Sequence, residues 1–177
     1  MISTFAVFLC TMTMAAAALP SGMTAIDIKP MVSVTERLVV ISRTHTTDTT
    51  YRCHSAKEKS SIGDNKYIYN LKARNSALQY ISGEVTVQLE EIPGEANKYR
   101  ATYTNQQNTK HTLTLLQKDE HLYCFVLYVE KSTGQQGCEL LTTVAYKDQI
   151  PPACQQYFKK QCTGAEAKLY LNDCTYD

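Results

Sequence analysis

Residues 84–90 read EVTVQLE, so Val85, Val87 and Leu89 fall on one side and Glu84, Thr86, Gln88 and Glu90 on the other. A two-residue period of this kind marks a strand with one apolar and one wet face. Residues 123–129, YCFVLYV, are apolar on both faces, which a strand tolerates only if something covers its outer side. A helix is the natural cover. One is expected to start at Pro151 and Pro152 and run to Lys160, carrying Cys154, Tyr157 and Phe158 on one stripe.

Working outward, strands are expected at Leu38–Arg43, Tyr51–Lys57, Lys66–Ala73, Val85–Glu90, Lys98–Tyr103, Lys110–Gln117, His121–Glu130 and Cys138–Val144. Each is rich in Val, Ile, Thr, Tyr or Leu, and the gaps hold Gly, Pro, Asn, Asp, Ser and Lys, the residues of turns. Gaps this short favour antiparallel neighbours. Eight such strands and one C-terminal helix predict an all-β fold: an antiparallel up-and-down barrel with the helix packed on its outside, the closed form that can hold one small ligand. An open two-sheet sandwich is the alternative. Residues 23–34 are weakly patterned and predict an N-terminal arm with a short helical turn.

The chain of 177 residues suits one domain. Residues 1–18 carry no charge and end in Ala15, Ala16, Ala17 and Ala18, which predicts a secretory leader over 1–22, cleaved between 18 and 23, and a single domain over 23–177. Of seven cysteines, Cys10 leaves with that leader, and the remaining six predict three disulfides in an extracellular protein. A net charge of +1 with no block of either sign argues against nucleic acid, and no later run is long enough to span a membrane.

Several motifs in order resemble the salivary lipocalins of ticks, the histamine-binding-protein family, and among them the Japanin-like branch. They are Arg43-Thr44 with Asp48 and Tyr51-Arg52-Cys53, then Cys124, Cys138-Glu139-Leu140, Pro152-Ala153-Cys154, and finally Cys162 and Cys174, over residues 36–177. The resemblance implies the pairs Cys53–Cys174, Cys124–Cys154 and Cys138–Cys162. If Cys124 and Cys138 face the helix, alternation turns Phe125, Leu127 and Val129 inward, with Glu139, Leu141 and Thr143. The other walls of a ligand pocket would be Tyr67, Tyr69 and Leu71; Val85, Val87 and Leu89; Tyr99, Ala101 and Tyr103; and Leu113 and Leu115. Which face each tyrosine occupies stays open.

Amine-binding members of the family carry an acid after the cysteine equivalent to Cys124 and an aromatic two residues after the glutamate equivalent to Glu139. Here those places hold Phe125 and Leu141. The favoured ligand is therefore an elongated apolar molecule, a sterol, fatty acid or eicosanoid, whose polar end meets Glu139 or a tyrosine hydroxyl. Its sequestration would dampen host inflammatory or immune responses. Two alternatives stay open: a biogenic amine as ligand, or a host immune protein or cell as partner. A monomer is expected. His45, His54, His111 and His121 show no HxH or HxxxH spacing and read as exposed loop residues, so no metal is expected. No nucleophile elbow, phosphate loop or cofactor fingerprint is found, and neither an enzyme nor a cofactor is expected.

Overall fold

Alternation repeated on successive strands gives a sheet with one oily face, and such a sheet buries that face and loses its edges by curling until its ends meet. In the computed structural model, which describes residues 19–177, the strands are β1 (Leu38–Arg43), β2 (Arg52–Gly63), β3 (Lys66–Arg74), β4 (Tyr80–Ile92), β5 (Glu95–Thr104), β6 (Lys110–Lys118), β7 (Cys124–Lys131) and β8 (Gln136–Thr143). Each pairs antiparallel with the next, β8 returns to β1, and β1 meets β2. This is the eight-stranded barrel the patterning called for. The greater part of the expected leader, residues 1–18 with Cys10, lies outside the described residues.

Two apolar layers follow from the pleat. Phe125, Leu127, Val129 and Leu141 face inward with Leu89 and Leu115. Cys124, Val126, Tyr128, Cys138 and Leu140 face outward, where helix α2 (Pro152–Gln161) covers them with Cys154 and Phe158. The double-faced apolar stretch is thus β7, under its helix. Disulfides Cys124–Cys154 and Cys138–Cys162 bolt that helix to β7 and β8.

Most strand boundaries differ from the sequence reading, β4 beginning at Tyr80 rather than Val85 and β5 at Glu95 rather than Lys98, and two of the shifts have a clear cause. Strand β7 begins at Cys124 rather than His121, because the Asp119 carboxylate accepts from the backbone N–H of Tyr123 at 2.7 Å and of Cys124 at 2.8 Å and folds the preceding residues into a turn. Strand β2 runs on to Gly63, through residues that apart from Ile62 are not apolar and give no period to read, since its backbone pairs with β3 as far as Gly63 opposite Lys66.

Both chain ends complete the barrel. At one end the segment before β1 enters the interior: Ile26 bridges to Leu115, the Ile28 N–H donates to the Tyr99 carbonyl at 3.1 Å, and helix α1 (Lys29–Val32) sets Met31 and Val32 in the core. The Asp27 carboxylate holds this plug by accepting from the N–H groups of Lys29 and Tyr99. At the other end the barrel closes badly, because β1 and β2 share only the pairs Leu38–Ala56 and Val39–Ser55. The C-terminal tail fills the gap. Strand β9 (Ala167–Lys168) pairs with Ser42 and Arg43, the Cys53 N–H donates to the Leu169 carbonyl at 2.7 Å, and Leu169 is fully buried in the inner core. The Cys53–Cys174 disulfide and a two-pronged Arg74–Asp173 ion pair, 3.0 Å on each prong, fix the tail there.

Candidate ligand-binding site

The inner faces of the strands leave a cavity of about 400 Å³, within the ~300–1,000 Å³ usual for small-molecule pockets. Its floor is the N-terminal plug, Ile28, Met31 and Val32. Of the residues expected to form the walls, Tyr69, Leu71, Val85, Val87, Ala101, Tyr103, Leu113, Leu127, Val129, Glu139 and Leu141 line the cavity. Leu89, Leu115 and Phe125 do not. They are buried among their neighbours below the floor, because the plug occupies the end of the barrel that alternation alone leaves empty. Tyr67 and Tyr99 are half-buried against the same core, the Tyr99 ring lying 3.6 Å from the Lys29 ammonium. Tyr69 is buried, donates its hydroxyl proton to the Val32 carbonyl, and has its phenol pushed well above the ordinary range by burial.

Towards the loop end the lining turns polar. Glu139 sits 3.0 Å from His45 Nε2, with 17% of its side chain exposed against 1% for the histidine. Burial alone would raise the Glu139 pKa, but the His45 hydrogen bond and the charge of Arg43 outweigh it and hold the carboxyl at about 2. Arg43 is buried and donates through Nε to the Thr46 carbonyl at 3.1 Å. Lys131 donates to the Thr46 hydroxyl at 2.7 Å, and that hydroxyl donates to Gln135 Oε1 at 3.1 Å. These bonds fold residues 44–46 over the β7–β8 hairpin as a roof. His54 and His111 complete the cluster, His111 stacked on Tyr103 at 4.6 Å between centroids.

The expectation that His45, His54 and His111 are exposed loop residues is overturned. His45 and His111 are buried, His54 is largely so, and all three line the cavity; His121 is exposed as expected. Parity held the clue for His111, which shares the face of Leu113 and Leu115 on β6. Burial, then the neighbouring cations, lowers both His54 and His111 to about 4, so both are neutral at pH 7. The Nε2 atom of His54 is buried with no hydrogen-bond partner among the described residues. At neutral pH the end around His45 therefore sets two cations, Arg43 and Lys131, against one carboxylate already engaged by that histidine, while Lys72 and the exposed Glu84 add one charge of each sign at the β3–β4 side of the cavity.

An acid-stability prediction arises here. The unfolded chain protonates these histidines near pH 6.5 and the folded chain only near pH 4, so the stability they contribute is complete above 6.5 and falls as pH drops to 4. Below pH 4.5 protonation of Glu139 extends the loss towards pH 2. At about 1.4 kcal/mol per pKa unit, discounted for solvent access, the histidines should contribute on the order of 3 kcal/mol in all. His111→Phe, which keeps the stack on Tyr103, should flatten the slope of urea-unfolding free energy between pH 6.5 and 4; an unaltered slope would contradict this assignment.

A family model described as tick histamine binding protein matches residues 23–176. Among solved structures, Japanin from Rhipicephalus appendiculatus bound to cholesterol aligns with a TM-score of 0.56 at 12% identity, over 79% of this chain and 95% of that one. A de novo designed fluorescence-activating β-barrel aligns with a TM-score of 0.42 at 9% identity, over 60% and 90%. No curated protein sequence matches.

Proposed function

The chain belongs to the tick histamine-binding protein family, and from that premise we propose that it is a non-catalytic extracellular carrier for a single-chain lipid carboxylate, a fatty acid or eicosanoid. The observation that carries this reading is the charge balance at the polar end of an otherwise apolar cavity. A buried ammonium needs an uncommitted buried carboxylate, whereas Glu139 is spent on His45 and Arg43, Glu84 is exposed to water, and a further cation at the His45 end would meet Arg43 and Lys131. A carboxylate headgroup meets the opposite situation, with the two cations and the unpaired His54 nitrogen to receive it. A sterol such as the cholesterol held by Japanin would suit the apolar walls and leave the cations unused. Sequestering such a lipid mediator would dampen host inflammation.

Fluorescence titration with cis-parinaric acid, followed by competition, tests the reading. Arachidonic acid should displace the probe, and its methyl ester should be weaker by about tenfold or more, the worth of one charge-assisted hydrogen bond. Cholesterol should compete no better than the ester, and histamine should not compete. Equal potency of acid and ester, or displacement by histamine, would overturn it.

A further inference from the structure

The barrel wall is not continuous. Strand β4 is paired with β3 along Tyr80–Gln88, but its pairing with β5 stops at Gln88 opposite Thr102. Beyond that point β5 pairs only with β6, Tyr103 with His111 and Thr104 with Lys110, while β6 stays laddered to β7, and the β4 edge over residues 80–87 faces β5 without a ladder. Residues on both sides of this seam, Val85 and Gly83 on β4 and Tyr103 and Gln106 on the hairpin, line the cavity. A groove on the outer surface is lined by Thr86, Thr104 and Lys110 and shares Glu84, Val85 and Tyr103 with the cavity. Inside and outside are thus separated there by single side chains.

The Gln106 side chain spans the seam. A Cβ on Gly83 would lie 2.5 Å from Gln106 Nε2, so the absence of a side chain at Gly83 is what lets the amide rest on the β4 backbone. Gln106 is exposed and makes no side-chain hydrogen bond among the described residues. At the same end of β4 two apolar residues stand in water, Leu78 in the β3–β4 turn at 69% exposure and Ile81 at 47%, the latter also lining the cavity. The other side of this same barrel end is roofed by residues 44–46 and lined by Arg43, Lys131 and Glu139, a charged passage for an acyl chain.

We infer that ligand enters and leaves sideways, through the seam between β4 and the β5–β6 hairpin, with Leu78 and Ile81 as an apolar threshold and Gln106 as the latch. The inference rests on the carrier reading for the ligand class. A latch held by van der Waals contact alone opens cheaply, and an unladdered edge parts without breaking backbone hydrogen bonds. The acyl chain crosses between Val85 and Tyr103 and the headgroup follows it towards Arg43 and Lys131.

Stopped-flow fluorescence with cis-parinaric acid reads both rate constants. Gln106→Ala should raise association and dissociation rates together, each by about fivefold, and Thr104→Trp, which fills the outer groove, should lower both by a similar factor. Gln135→Ala, which removes the roof's anchor on the β7–β8 hairpin, should leave them within about twofold of the parent protein. Rates indifferent to both seam variants, or quickened by the roof variant instead, would overturn the portal while leaving the carrier reading intact. Failure of the parent protein to bind the probe at all would sink the carrier reading itself, and the portal with it.

Discussion

Replacing Cys53 and Cys174 together with alanine is expected to lower the free energy of unfolding by about 4–5 kcal/mol, the chain-entropy value for a bridge closing so long a loop. The separation of 121 positions is the longest of the three bridges, the others closing 30 and 24. For a domain whose total stability lies at ~5–15 kcal/mol this is a large share. The damage should also be local. The tail carries Leu169, fully buried in the inner core, and supplies the carbonyl that takes the Cys53 N–H. Released, it would uncover the stretch of wall where β1 and β2 fail to pair. Binding of cis-parinaric acid should therefore fall with stability. Removing Cys138–Cys162, which bolts only the outer helix, should cost about 3–4 kcal/mol and leave probe affinity in the folded protein unchanged. A urea midpoint unmoved by the first change, or equal losses of affinity in both, would contradict the assignment of the tail as part of the wall.

Phe125→Asp is expected to destabilise the fold by at least about 3–5 kcal/mol and to confer no amine binding. This is the position at which amine-binding relatives carry an acid, so the substitution would seem to restore their site. In this barrel Phe125 is fully buried in the inner core and does not line the cavity, because the N-terminal plug has taken the space above it. A carboxylate there would have neither water nor ammonium, and the vacated ring volume would remain as a void. Chemical denaturation measures the loss, and calorimetric titration with histamine measures the absence of gain. A stable variant that binds histamine would show that the plug yields, and would reopen the amine reading for the parent protein.

The barrel was legible because its signal is repetitive: alternation in Val85–Glu90 and the doubly apolar β7 each demand a particular neighbour, and the demands agree. The apolar walls followed from parity. The polar end did not, for two reasons. At β1 the register shifts between Val40 and Ser42, and at β2 between Arg52 and Ser55, where Cys53 has a left-handed backbone with φ of 55°. A bulge reverses the faces of all that follows, so Arg43 joins Val40 on the inner side and His54 turns to the cavity. The other reason is composition. Lys131 and His111 lie in phase with Val129 and Leu113, yet charged and polar residues at strand ends read as solvent-facing unless something roofs them. The roof is a web of side-chain bonds from a loop without periodicity, centred on Thr46. The helical turn of the N-terminal arm was expected and is α1, but its entry into the barrel and the β9 tail escaped for a similar reason, both segments being too short to show a period.

Since the floor comes from residues 26–32, before β1, and part of the wall from residues 167–169, after β8, segments from both sides of the barrel strands must be in place before there is any interior to fill. A nascent chain that has emerged as far as β8 is an unfinished cask, with Cys53 still awaiting a partner that the ribosome has not yet delivered. A hollow of this shape is then a late product of folding, closed only when the segment that follows β8 has docked beside β1.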